Sequence, residues 1–225
     1  MNQTAIFEDE RWSKGPQALV FRHGVALSYI DSRMRLLDVA CGDGLFLAMA
    51  AEKGAIVAGA DISDQAIEKA KARGIERLVK CDVATQELPF IDGEFDAVSA
   101  LDVLEHVLDP ERALREIRRV TKDFVIISVP NFSSLPSRLQ CLLGKVPENN
   151  KPNKGHVYWF NRLVLGDLLK KTGLEIVEIR QNHQGMGLPL IGPTISWLVR
   201  LWPNLFALSY VVLLKKRNQA PGVVI

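Results

Sequence analysis

Apolar, β-branched runs alternate with helix-periodic stretches from about residue 35 to 129 of this chain, and few architectures accommodate that alternation. RLLDV at 35–39 precedes a helical pattern over about 45–53 and then AIVAGAD at 55–61, which makes a βαβ unit. Ser63 caps a further helix that Gly74 closes. RLVKCD and FDAVSAL read as strands, Pro110 to about Thr121 as a helix, and FVIISV at 124–129 as a strand. Strands this continuously apolar must be covered on both faces, as helices flanking a parallel sheet do. After Pro130 the rhythm breaks into a segment rich in Pro, Asn, Lys and Gly, an insertion or lid over the strand ends. It resumes with a helix capped by Asn161 and ended by Gly173, the strand LEIVEIR, and a last strand, LFALSYVVLLKK. The expected fold is α/β: a doubly wound, mostly parallel seven-stranded sheet, Rossmann-like. A chain of 225 residues, 48% hydrophobic, fills one core. The expectation is one domain over 1–225, with an N-terminal helical cap at 1–34 and a substrate-side insertion at 130–160.

In such a sheet the first strand-to-helix turn usually holds a cofactor. Here it is LLDVACGDGLF, residues 36–46. Gly42 and Gly44 allow a tight turn and close backbone approach to a ligand. Asp61, ending the second strand, stands where a ribose-binding acid would. A nicotinamide or flavin dinucleotide fits these features too. Two details weigh against it: Leu47 replaces the third glycine of the dinucleotide fingerprint, and Asp38 and Asp43 would face a pyrophosphate with carboxylates. A cationic ligand meets no such conflict.

LLDVACGDG with the acidic end of the next strand resembles motifs I and II of class I S-adenosylmethionine-dependent methyltransferases, and VKCDVATQELPFIDGEFDAVSALDVLEHV continues the resemblance in order. The likeness covers residues 34–130 closely and the rest loosely. It implies S-adenosyl-L-methionine as cofactor, S-adenosyl-L-homocysteine as product, and a seven-stranded methyltransferase fold. It also implies roles. Asp38 would face the ammonium end of the methionine moiety, with Ala40 in the same turn and Gly42 and Gly44 beneath that moiety. Asp61 would take both ribose hydroxyls, Ile62 would pack on the adenine, and Asp82 and the Val83 N–H would bind its polar edge. Leu101 and Asp102 would lie near the sulfonium. Asp43 either contributes there or only shapes the turn.

Methyl transfer from a sulfonium needs alignment, exclusion of water and, for a protonated nucleophile, a base. Asp102, Glu105 and His106 in DVLEHV share a face if the segment is helical. They would then serve as base, substrate support or divalent-metal ligands, a role linked to comparable residues in the ubiquinone-pathway O-methyltransferases this segment resembles. Otherwise Glu105 and His106 anchor the turn to a neighbouring loop, and no metal is assigned. His106 and His156 are the candidate catalytic residues. His156, with Tyr158 nearby, precedes the resumed helix where related methyltransferases turn a histidine to the pocket, or else it is a surface residue of a lysine-rich loop. His23 belongs to a helix closing over the cofactor, or else lies in solvent.

Cys41, Cys81 and Cys141 are odd in number and far apart, and MNQTAIFEDERW has no basic n-region, so a reducing, cytoplasmic location is expected. The net charge of +2 attracts no nucleic acid, and the arginines of ERALREIRRVTK interleave with Glu111 and Glu116 as on a solvated helix. From Met186 to Leu214 the only charge is Arg200, but prolines divide the stretch into pieces too short to span a bilayer. Its first piece, with Trp197, Leu198 and Trp202, suits a pocket lid, a peripheral membrane contact, a second subunit in a homodimer or ordinary core packing. The acceptor implied is a small molecule, apolar or linked to lipid or glycan. VPNFSSLPSRLQCLLGKVP also resembles methionine biosynthesis protein MetW, which would make the chain a partner of homoserine acyltransfer that keeps the cofactor fold. A dinucleotide oxidoreductase is the remaining alternative.

Overall fold

The computed structural model describes residues 3–13, 20–183 and 192–217, with side chains omitted at Gln3 and 192–196. Two helices open the chain, α1 (Gln3–Ser13) and α2 (Phe21–Leu27). Alternation follows: β1 (Arg35–Val39), α3 (Leu45–Glu52), β2 (Ile56–Asp61), α4 (Asp64–Ala72), β3 (Leu78–Lys80), β4 (Phe95–Leu101), α5 (Pro110–Val120) and β5 (Thr121–Pro130). After α6 (Leu135–Leu142) come α7 (Arg162–Thr172), β6 (Leu174–Asn182), α8 (Gly192–Leu201), α9 (Pro203–Phe206) and β7 (Ser209–Lys216). One seven-stranded sheet runs β3-β2-β1-β4-β5-β7-β6, with β7 antiparallel to both its neighbours and the other pairings parallel. The order reverses between β1 and β4, so the carboxyl ends of these strands diverge and leave a crevice there.

Local chemistry sets the helix limits. Ser63 Oγ accepts from the Ala66 N–H at 3.1 Å, Asp109 takes the Arg112 N–H with Pro110 at the first helical position, and Asn161 takes the N–H groups of Leu163 and Val164. Gly173, at φ +68°, closes α7 in the left-handed conformation that a side chain would oppose. The sheet carries an apolar cluster on each face, one built on Leu37, Val98 and Ile127 and the other on Leu36, Ala97 and Ile126. This is the two-sided covering that the unbroken apolar runs demand.

Three departures from the sequence reading have local causes. β3 stops at Lys80, because the Asp82 carboxylate accepts from the Ala84 N–H and the Thr85 hydroxyl and turns the chain aside. β7 starts at Ser209, after a helical turn begun by Pro203. Asp102 does not share a helical face with Glu105 and His106. It sits at φ +56° before a 3₁₀ turn over Leu104–His106, accepts from Ser128 Oγ, and pairs with Arg22 at 2.9 Å. On α5 the arginines are engaged within the molecule: Arg115 with Glu111, Arg119 with Glu116 and Asp92, and Arg112 with the Val83 carbonyl.

Candidate functional site

A cavity of about 390 Å³ opens at the switch point between β1 and β4. Strand ends and the turns after them line it with Asp38, Ala40, Gly42, Asp61, Ile62, Asp82, Val83, Leu101 and Asp102, nine of the ten residues assigned to the cofactor. Gly44 is the exception. At φ +74° it caps α3, and a Cβ there would lie 3.0 Å from Ala70 Cβ, so its bare backbone serves packing against α4 instead of the cavity.

Asp38 is buried and accepts a 2.6 Å hydrogen bond from Ser99 Oγ. Burial raises its pKa to about 7, and Asp61 nearby adds to the rise. A buried carboxyl raised in this way is a natural acceptor for a ligand's cation. Asp61 receives the Gly42 N–H at 2.8 Å on one oxygen and the Ser63 N–H at 2.9 Å on the other. Each oxygen keeps a second lone pair, enough for two vicinal hydroxyls. Asp43 accepts the Leu45 N–H and pairs with Arg73 at 2.7 Å, which fixes the turn, and it also lines the cavity.

Three described non-glycine residues have positive φ, and two of them, Ala40 and Asp102, are at this cavity. Such backbone strain concentrates at functional sites.

The cap contributes residues that the sequence reading missed. Thr4, Glu8, Arg11 and Trp12 of α1 line the cavity, at the i, i+4, i+7, i+8 spacing that gives one helix face and could have signalled them. The Trp12 ring lies on Gly42, where a Cβ would come within 2.2 Å of it. Gly42→Ala is therefore expected to displace Trp12 and to cost about 1–2 kcal/mol from the left-handed conformation alone. The check is a melting temperature lower by several degrees together with a changed tryptophan emission. His23, from α2, is buried and stacked near Phe46, and desolvation lowers its pKa to about 4.

A second cavity, of about 520 Å³, shares Arg11, Arg22, Asp102 and His106 with the first. Phe7 and Glu10 from the cap, Pro130 from the end of β5, and Asn149, Asn153, Lys154 and His156 from the segment after it complete much of its wall. The structure brings the two candidate histidines together: His106 lines both cavities, and His156 the second. Their rings meet edge to face at 4.8 Å. His106 Nδ1 is 3.2 Å from the Gly155 carbonyl; burial, with His156 alongside, lowers the His106 pKa to about 4. The Glu105 carbonyl accepts from the N–H groups of Val157 and Tyr158, so the anchoring role falls to its main chain. Its carboxyl is fully buried with pKa raised by desolvation, and Oε2 has no hydrogen-bond partner. Ligand atoms of Glu105, His106 and His156 lie within 4.8 Å of one another, a donor set that fits a proton or a divalent ion.

Residues 10–179 match the family model described as a methyltransferase domain. The chain is 33% identical over 168 residues to the ubiquinone biosynthesis O-methyltransferase of Marinobacter nauticus, covering 68% of this chain and 71% of that one. It is 35% identical over 124 residues to that of Xanthomonas oryzae pv. oryzae, covering 50% of this chain and about half (52%) of the relative. Among solved structures, a SAM dependent methyltransferase from Archaeoglobus fulgidus superposes with TM-score 0.63 at 22% identity, over 96% of this chain and all of that one. Magnesium protoporphyrin IX methyltransferase from Synechocystis, solved with bound SAH, gives 0.62 at 16% identity, over 96% and 95%. No helix among the described residues is long and apolar enough to cross a membrane.

Proposed function

Because the chain belongs to the class I S-adenosylmethionine-dependent methyltransferases, we propose that it methylates a hydroxyl oxygen of a small acceptor held in the second cavity. S-adenosylmethionine is its cofactor, and when bound supplies a methyl group already activated for displacement. The observation that carries the reading is the junction: the cofactor cavity and the polar second cavity meet at Asp102 and His106. Names of relatives support oxygen as the acceptor atom, two of them being ubiquinone biosynthesis O-methyltransferases. A MetW-like partner role and a dinucleotide oxidoreductase find no such support, and the turn that would face a pyrophosphate carries the buried Asp38 and Asp43.

In this reading Asp61 holds the ribose hydroxyls, Asp38 faces the ammonium group, Ile62 packs on the adenine, the Val83 N–H donates to its ring, and Asp82 takes its amino group. Leu101 and Asp102 border the sulfonium. His106, neutral at physiological pH, takes the hydroxyl proton as the oxygen attacks, and His156 positions it. Incubating the protein with cofactor and a panel of alkyl phenols and catechols tests the assignment. Release of S-adenosylhomocysteine in step with an aryl methyl ether is the expected result; methylation of amines and of no hydroxyl would move the acceptor atom to nitrogen.

Asp38 gives a pH prediction whose sign is fixed. Its carboxyl is protonated below about 7 and charged above. An ammonium ligand binds the charged form, so affinity for S-adenosylhomocysteine should weaken as pH falls below 7, approaching tenfold per unit. Calorimetry in buffers of different ionisation enthalpy should show a proton released on binding at pH 6. Asp38→Asn should bind weakly at every pH, without that release.

A further inference from the structure

Helix α6 is built inside out. Leu135, Leu139, Leu142 and, just beyond its end, Leu143 and Val146 follow the i, i+4, i+7, i+8, i+11 spacing of a stripe that ordinarily faces a core. All five are exposed, Leu142 at 81% and Leu143 at 70%, while the buried side chain of α6 is Ser137. The surface continues beyond α6. Phe132 and Trp159 are exposed with ring centroids 6.4 Å apart. Hydrogen bonds from Asn131 Nδ2 to the Asn204 and Ala207 carbonyls, and from the Arg162 N–H to Asn204 Oδ1, join this region to α9. Just before α9, Trp197 and Trp202 are 58% and 55% exposed.

Segments 131–147, 157–166 and 197–208 contain Arg138, Lys145, Arg162 and Arg200 and no acid; the acids that border them, Glu148 and Asp167, are paired with Lys151 and Lys170. Pairing two copies through this face would set cation against cation, which disfavours a second chain as the occupant. Tryptophans at an apolar surface fringed by basic residues match the boundary of an anionic bilayer, where indoles sit at headgroup level and Lys and Arg meet lipid phosphates.

We propose that this face, α6 with Trp159 and the Trp197–Trp202 segment, docks the protein on an anionic membrane surface. Because α6 leaves from the end of β5 and the same insertion supplies Asn149, Asn153 and His156 to the second cavity, docking would bring that cavity close to the lipid. The proposal stands apart from the choice of acceptor and from methyl transfer itself.

The test is flotation of the full chain with phosphatidylcholine vesicles, with and without phosphatidylglycerol, following tryptophan quenching by brominated lipid. Uptake by anionic vesicles, a blue-shifted and quenched emission, and affinity at least about tenfold lower for Leu139→Asp/Leu142→Asp are expected. Arg138→Glu/Lys145→Glu should cost roughly fivefold or more per residue on anionic vesicles and little on neutral ones. Unchanged binding of S-adenosylhomocysteine shows that each variant is folded; should the leucine variant misfold, the wild-type quenching decides alone. Absence of vesicle uptake by the wild type would overturn the proposal, as would undiminished uptake by the leucine variant. So would a dimer in gel filtration that the leucine variant dissociates while vesicles bind neither form, a result assigning the face to a second copy.

Discussion

Asp61→Ala is expected to lower affinity for S-adenosylhomocysteine by at least about 100-fold. A charge-assisted hydrogen bond contributes about 1.5–3 kcal/mol net, and a bidentate grip on a ribose makes two. The loss should exceed that of the two bonds alone, because the same carboxylate positions the Gly42 and Ser63 N–H groups and with them the floor of the cavity. Stability should respond differently. Burial raises the pKa of Asp61, so the folded chain bears the cost of a desolvated acid, and removing it offsets part of the loss of the carboxylate that accepts from two backbone N–H groups. A melting temperature within several degrees of wild type beside a collapse in calorimetric affinity is the expected pair. Asp61→Asn, similar in shape but uncharged, should fall between. Wild-type affinity in Asp61→Ala would remove Asp61 from the cofactor and with it the registration of the whole turn.

The parts legible in the sequence are those whose signal is local. Strands buried on two faces are continuous apolar runs, caps such as Ser63, Asp109 and Asn161 are single residues with short-range partners, and β4 was readable to its ends from FDAVSAL. The crevice at the switch point followed from the order of elements, and the acids at the ends of β1 and β2 from the positions of those ends. What stayed hidden depends on distant pairings. Arg22 reaches Asp102 across 80 positions, and Trp12 covers Gly42 across 30, so no window of sequence contains either contact. The helical face drawn through Asp102, Glu105 and His106 failed for a related reason. Ser128, from the neighbouring strand, and Arg22, from the cap, hold Asp102 in a left-handed conformation, leaving His156 to complete the trio from another segment. Gly44 shows the converse limit: glycine in a turn announces close approach, but only the tertiary structure tells whether a ligand or a helix approaches.

The second large effect belongs to His106. If it removes the hydroxyl proton of the acceptor, His106→Ala should lower kcat by about 10²–10⁴-fold, the range typical of a general base. Affinity for S-adenosylhomocysteine should stay near the wild-type value, since the imidazole stands where the cavities meet and not at the ribose or ammonium positions. In the neutral ring an Nδ1–H donated to the Gly155 carbonyl leaves Nε2 with the free lone pair, the tautomer a base requires. Its pKa of about 4 sets the direction of the pH profile: kcat should rise with pH through about 4 as the imidazolium loses its proton, then stay level from 6 to 8. His156→Ala should cost less and shift the low-pH limb upward, because His156 is among the groups that hold the His106 pKa down. A chelator distinguishes proton transfer from metal binding by the same three residues. Activity unchanged by EDTA keeps His106 as the base. Activity lost to EDTA and restored by a divalent cation, with Glu105→Gln and His156→Ala as damaging as His106→Ala, would make the trio a metal site and leave the proton to a metal-bound group.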